Sequence, residues 1–464
     1  MHALAALAAA SAVALTASPG PDFGTFRDQA LQARAPELFG VTGPIPASST
    51  LSLAPQVAEA DPRALVTLAR SLQARVVSAA PGLGANIDMM ALWPSDERPT
   101  HLIACNEQGA AQPGLQRIRL SDGAVETILA GTISCDPVRR TPWGTIIAGE
   151  ESGADGSLIE VLDPLAVTGA TYDHAARTVS GPGAGLVAAR PAVGRLSWEG
   201  IGLLPNGVMY YGDENRPSRG TAGGAYFKFV PAVPWTGGPA IRSLDRSPLA
   251  AGAVYGLRLG RRSGGTDHGQ GTNTGLGSWI PVAAADVGNL RAAAAALKLT
   301  GYYRPEDIDL DGAALAAGRV RFCANNTGNE ADDWSWGETL CVSDGTLGEA
   351  AAGTAVPEVQ LLVPGNPELA MMDNLAWQPG RGSWIIHEDG DGPEAGRNND
   401  LWACLEDGTD PDDQSDGCIR IATLNDLNAE WTGGFFDASG THFYVSVQHN
   451  VTGHGVILDV TGWR

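Results

Sequence analysis

The sequence predicts an all-β chain, a six-bladed β-propeller with small helical insertions, and three observations lead there. Short strand-like runs recur along the chain, each ending in adjacent polar residues. They are His101–Cys105 into Asn106-Glu107, Gly144–Ala148 into Gly149-Glu150-Glu151, and Val208–Tyr211 into Gly212-Asp213-Glu214. The later ones are Val320–Ala324 into Asn325-Asn326, Trp384–Ile386 into His387-Glu388-Asp389, and Phe443–Val447 into Gln448-His449. Most follow a turn signal such as Pro142-Trp143-Gly144, Pro205-Asn206-Gly207 or Asp437-Ala438-Ser439-Gly440. The third observation is compositional. Sixty glycines and 30 prolines in 464 residues, with few long apolar helical patterns, favour many short strands and turns. Sheets repeated around an axis would bring equivalent strand ends to one mouth of a central channel. Carboxylates crowded there cannot all ionise without cations, so the pattern points to metal.

Taken in chain order, Met1–Ser18 is an alanine-rich apolar run resembling the apolar region and small-residue cleavage site of a signal peptide. Residues 19–100 are expected to form an N-terminal segment. Within it Asp61 as N-cap, Pro62 at the first position and leucines at 65, 68 and 72 predict an amphipathic helix over Asp61–Ser78. Residues 101–464 are assigned to the propeller. The glycine-, serine- and threonine-rich stretch Ser263–Gly277 reads as a loop, a surface excursion or a lid, and Ala285–Leu299 as an inserted helix. Asp307–Gly312 imitates the start of a calcium-binding EF-hand loop, but Gly318 stands where a bidentate glutamate is required, so it reads as a strand entering a turn.

Charge and cysteine usage narrow the function. Thirty lysines and arginines against 52 aspartates and glutamates leave a formal charge of −22, which repels nucleic acid and anionic membrane and favours cations. Six cysteines fit an oxidising compartment. Cys323 with Cys341, and Cys404 with Cys418, read as disulfides. Cys105 and Cys135 stay open between a bridge to each other and a Cys135 thiolate that binds metal. No Gly-x-Ser-x-Gly elbow is present, which disfavours a serine hydrolase.

The run Thr141-Pro142-Trp143-Gly144-Thr145 with Glu150-Glu151 resembles a signature of the PhoX-type alkaline phosphatase family and its wider DUF839 relatives. The resemblance continues through Gly194–Gly200, Asp213-Glu214 with Tyr226–Phe229, Tyr303–Asp307, Asn325-Asn326, Asp373–Ala376, and Thr432-Gly433 with Gln448-His449. These matches keep family order from about Asn106 to His449. The resemblance implies a six-bladed propeller whose channel holds iron and calcium and hydrolyses phosphate monoesters in the periplasm or outside the cell. By position it implies that Cys135 binds iron, that Glu150, Glu151, Glu199 and Glu306 bind metal, and that Arg304 faces the phosphate. Glu107, Asp213, Glu214 and Asp373 are placed in the same cluster. The expected partner is a small phosphate ester, with no nucleic acid and no membrane insertion once the leader is cleaved. The alternatives are a calcium-stabilised binding propeller, or a hydrolase of another ester such as a phosphodiester or lactone.

Overall fold

The computed structural model describes residues 23–218, 221–260, 273–329, 335–408 and 411–464. The expected leader at 1–18 and residues 263–272 of the expected loop lie outside the described residues. The fold is mostly β, and its antiparallel sheets each start from an inner strand. Those inner strands are Ile87–Trp93, Cys135–Arg140, Trp198–Leu203, Pro305–Leu310, Met372–Trp377 and Glu430–Phe436. Each packs against the next, and the last packs back on the first, so they surround one axis. Close approach at that axis requires missing side chains. A Cβ on Gly200 would lie 1.9 Å from the backbone nitrogen of Ile308 on the neighbouring inner strand.

The strand-like runs of the sequence are the second strand in each sheet: His101–Asn106, Ile146–Glu150, Met209–Asp213, Arg319–Asn326, Trp384–Glu388 and Phe443–Gln448. Their dense apolar runs are buried on both faces between neighbouring sheets, where Trp143, Trp198, Trp384 and Trp431 are wholly enclosed. Two groups of strands join edge to edge through Gly275–Pro281 and Glu358–Pro364, making one nine-stranded sheet. A buried ion pair ties that seam. Asp344 accepts from Lys228 Nζ at 2.8 Å, from Tyr210 at 2.5 Å and from Trp279 at 2.9 Å.

The N-terminal expectations need correction. The segment Asp61–Ser78 is not one helix: a short 3-10 turn over Pro62–Leu65 leads into strands Val66–Leu68 and Gln73–Ser78. Val66–Leu68 pairs with Ala422–Leu424, and Gln73–Ser78 pairs with Ile457–Thr461, so this segment completes the sheets built from the C-terminal half. Val66, Thr67, Val76 and Val77 are β-branched, and open sheet edges offered their backbone a ladder that outweighed the helical spacing of the leucines. The first inner strand also begins at Ile87, ahead of the expected boundary at 101. A helix the sequence reading did not anticipate, Phe23–Leu38, docks Leu31 and Ala35 into the core of the last sheets. The inserted helix is shorter than 285–299. It runs Leu290–Leu297 and is capped by Asn289, whose side chain accepts from the Ala292 nitrogen at 3.0 Å.

All six cysteines are paired: Cys323–Cys341 and Cys404–Cys418 as expected, and Cys105–Cys135.

Candidate metal centre and catalytic site

The same local device builds the site in successive sheets. The first residue of an inner strand pairs with the last residue of its second strand, and a β-bulge follows immediately. Such bulges follow Ile87, Cys135, Trp198, Pro305 and Met372. Bulges re-aim side chains, and here the residue inside each one is acidic: Asp88, Asp136, Glu199, Glu306 and Asp373. In Glu430–Phe436 the bulge comes later, between Thr432 and Phe435, and Gly433 takes the corresponding place. Its φ is +65°, and a Cβ there would meet the Asp88 carbonyl at 2.3 Å. That strand contributes Glu430 instead.

A second set of carboxylates comes from residues just past the second strands. Because side chains alternate along a strand, the terminal residue and its successor point differently. Glu150 accepts backbone N–H groups of Ile133 at 2.9 Å and Ser157 at 3.2 Å, and contacts His174 at 2.9 Å. Glu388 accepts from Ala370 and Asp400 in the same manner, each at 3.0 Å. Asp213 accepts from Ser197 and is clamped by Arg291 at 2.7 and 2.8 Å. These side chains fasten inner-strand entries. Glu107, Glu151, Glu214 and Asp389, one residue further on, turn inward.

Carboxylate oxygens of Asp136, Glu151 and Glu199 lie within 4.8 Å of one another, as do those of Glu199, Glu306 and Asp373. Glu199 belongs to both groups. Glu107 lies against Glu151 and accepts from Gln448 at 2.9 Å, and Glu430 contacts His449 at 3.0 Å. Burial and then mutual repulsion raise Asp88, Asp136, Glu151, Glu199, Asp373 and Glu430 well above the usual carboxylate range. Burial pushes Glu306 up to about 8 despite the adjacent Arg304. Metal-free, the cluster therefore holds protons where cations would otherwise balance it.

Arg304 is the cation facing this ring. Its Nε donates to Glu214 at 2.7 Å and lies 3.3 Å from Glu306, while Nη2 is 3.9 Å from Asp389. Burial opposes its charge, but Glu306 and Glu214 outweigh that and hold it protonated more firmly than an ordinary arginine. Among the described residues its terminal amino groups make no hydrogen bond, leaving the outer edge of the guanidinium for a ligand. On the channel axis Arg139 donates to Asp307 at 2.6 Å and to the carbonyls of Ile201 and Ile308, and stacks over Phe435. These contacts reach several inner strands and fill the axis.

The expected site residues thus divide. Glu107, Glu151, Glu199, Glu214, Glu306, Asp373 and Arg304 converge. Glu150 and Asp213 do not, because backbone donors, His174 and Arg291 occupy their oxygens. Cys135 is not a thiolate ligand, because its sulfur is bonded to Cys105. The sequence reading missed Asp88, Asp136 and Glu430, and named Asp389 in a polar strand end without assigning it to the centre. The signal of the missed three was an acidic residue at the start of the strand one hairpin upstream of each polar strand end. The donor set fits a hard cation, since it is all oxygen, and Oδ1 of both Asp88 and Asp136 is buried without a hydrogen-bond partner.

No protein-family model matches the sequence, and no curated protein matches it. Among solved structures, Pseudomonas fluorescens PhoX in complex with vanadate, a transition state analogue, aligns over 91% of this chain and 98% of its own, with TM-score 0.61 and 15% identity. The PQQ-bound aldose sugar dehydrogenase of Streptomyces coelicolor covers 85% of this chain and 99% of its own (TM-score 0.42, 13% identity). A gluconolactonase of Xanthomonas campestris covers 90% and 97% respectively (TM-score 0.42, 12% identity). At such identities the likeness is one of architecture, and the chain has a PhoX-like β-propeller fold.

Proposed function

We propose that this protein is an exported, metal-dependent phosphatase hydrolysing small phosphate monoesters at the carboxylate centre of a six-bladed propeller. Counting six blades divides the nine-stranded sheet at its seam, so that each inner strand heads one blade. The observation that carries the function is the placement of Arg304: a guanidinium with an open outer edge, set against two carboxylate groups that share Glu199. The PhoX-like fold supports the same reading.

Asp136, Glu151, Glu199, Glu306 and Asp373 would hold the cations, with Glu107 and Asp88 beside them. When bound, cations supply charge stabilisation for a transferring phosphoryl group and lower the pKa of bound water. The remaining work belongs to the chain. Phosphoryl transfer requires chiefly positioning and charge stabilisation. The free edge of Arg304 suits two non-bridging oxygens at once, and Glu214 fixes its orientation through Nε. Arg139 and its partners fill the axis and exclude water from that side. Calcium is the cofactor the oxygen donors favour. The disulfide takes Cys135 out of the ligands expected for iron, and the carboxylates that remain suit calcium or ferric iron. Three disulfides are compatible with a periplasmic or extracellular location. No helix among the described residues is long and apolar enough to cross a membrane.

The test is turnover of p-nitrophenyl phosphate by calcium-loaded protein, its loss on chelation and its return on re-addition. Calcium-dependent thermal stabilisation without turnover of any phosphate ester would replace this reading with that of a binding propeller.

A further inference from the structure

Arg304 lines one wall of an open cavity of about 550 Å³ beside the centre, and a second guanidinium, that of Arg216, lines the same cavity. Arg216 follows the strand Met209–Asp213 by three residues, past the inward-turning Glu214, so the chain that brings one carboxylate to the centre also carries this arginine to its mouth. Unlike Arg304 it is exposed, and it makes no ion pair or hydrogen bond among the described residues. An unpaired arginine is out of keeping with a chain of formal charge −22, where most arginines near the site have carboxylate partners: Arg291 holds Asp213, Arg397 holds Glu388 and Arg139 holds Asp307. The rest of the described lining is mixed: the carboxylates of Asp389 and Asp391, the amides of Asn329 and Asn428, Gly390 and Gly392, and the apolar Met371, Pro393 and Leu427, with no aromatic ring.

We infer that Arg216 is a specificity-determining residue that binds a second anionic group on the leaving alcohol, so that the preferred substrates are small, hydroxylated phosphate esters carrying a carboxylate or a further phosphate. This rests on the phosphatase reading above. With Arg304 taking the phosphoryl oxygens, Arg216 meets the far end of the molecule. A cavity of that volume takes a compact polyol acid, and its described lining holds no aromatic ring for a nucleobase or aryl group to stack on. The exposed position of Arg216 makes its contribution modest and salt-sensitive.

The experiment compares 3-phosphoglycerate with glycerol 3-phosphate, which lacks the carboxylate, using calcium-loaded protein. The wild type is expected to favour 3-phosphoglycerate in kcat/KM. Arg216→Ala is expected to reduce that preference about five- to tenfold, chiefly through KM, and Arg216→Lys to retain part of it. Arg98→Ala, at an exposed arginine on the turn between Ile87–Trp93 and His101–Asn106, should leave the preference intact. A readout without turnover is phenylglyoxal modification of Arg216 followed by peptide mass spectrometry, which 3-phosphoglycerate should slow and glycerol 3-phosphate should not. Equal turnover of the two esters by the wild type, or an equal loss on both in Arg216→Ala, overturns the inference while the phosphatase reading stands. Absence of turnover with either ester and with p-nitrophenyl phosphate overturns both.

Discussion

Glu199→Gln probes the centre most directly, because Glu199 is the one carboxylate common to both close groups. Without metal, burial and its neighbours raise Glu199 well above the usual carboxylate range, which favours its protonated form, and glutamine replaces that form almost isosterically. The metal-free variant should therefore melt at or slightly above the wild-type temperature. With calcium the outcome reverses. A site saturated at 100 times its Kd stabilises the folded chain by about 2.7 kcal/mol. At an unfolding entropy of roughly 2 cal/mol/K per residue, the 464-residue chain has an entropy of roughly 1 kcal/mol/K, so each site adds about 3 °C. Losing the shared ligand weakens both groups, and about 5–6 °C of calcium-dependent stabilisation should disappear. Differential scanning calorimetry with calcium and with chelator reads this directly. Glu150→Gln is the control: it should lower the melting temperature equally in both conditions, because Glu150 fastens Ile133 and Ser157 instead of facing the centre. A full calcium shift in Glu199→Gln, or its loss in Glu150→Gln, would refute the assignment of ligands.

Further outcomes are expected. Glu306 rises from 4.5 unfolded to about 8 folded, so the metal-free protein binds more protons folded than unfolded; its stability should be greatest below pH 4.5 in this contribution and fall as pH rises to about 8. Calcium binding should accordingly release protons across that window, measurable by titration calorimetry in buffers of different ionisation enthalpy, and proton uptake would contradict it. Cys105→Ser and Cys135→Ser should each cost about 2–4 kcal/mol in denaturant unfolding, with the same calcium content per folded molecule; selective metal loss in Cys135→Ser alone would restore the thiolate ligand. Asp344→Ala strands the fully buried Lys228 and should cost about 3–5 kcal/mol, whereas a loss under about 1 kcal/mol would show that the seam of the nine-stranded sheet does not depend on that pair.

Much of the architecture was legible from local chemistry. The second strands declare themselves by dense apolar runs between proline-glycine turns, because each is buried on both faces. The cross-strand pairs Cys323–Cys341 and Cys404–Cys418 were readable because each lies within a short hairpin. Asp61–Ser78 was misread because leucine spacing reports burial, not the partner that provides it. Those residues find their partners at Ala422–Leu424 and Ile457–Thr461, far along the chain.

The sequence by itself determined the repeated strands, their polar ends and the acidic balance, while Arg304 was singled out only through the resemblance and lies in the structure against Glu214 and Glu306. Only the tertiary structure decided which carboxylates meet. Asn106-Glu107, Glu150-Glu151, Asp213-Glu214 and Glu388-Asp389 are adjacent polar pairs in which alternation sends one member to a backbone anchor and the other to the axis. Which member goes where depends on the register with the inner strand, and register is a property of the assembled sheet. Asp88, Asp136, Glu199, Glu306 and Asp373 converge because a bulge follows the first pair of each of those ladders, and the bulge exists only once two strands are paired. The fate of Cys135 was settled in the same way: the approach of Cys135–Arg140 to His101–Asn106 brought its sulfur to Cys105.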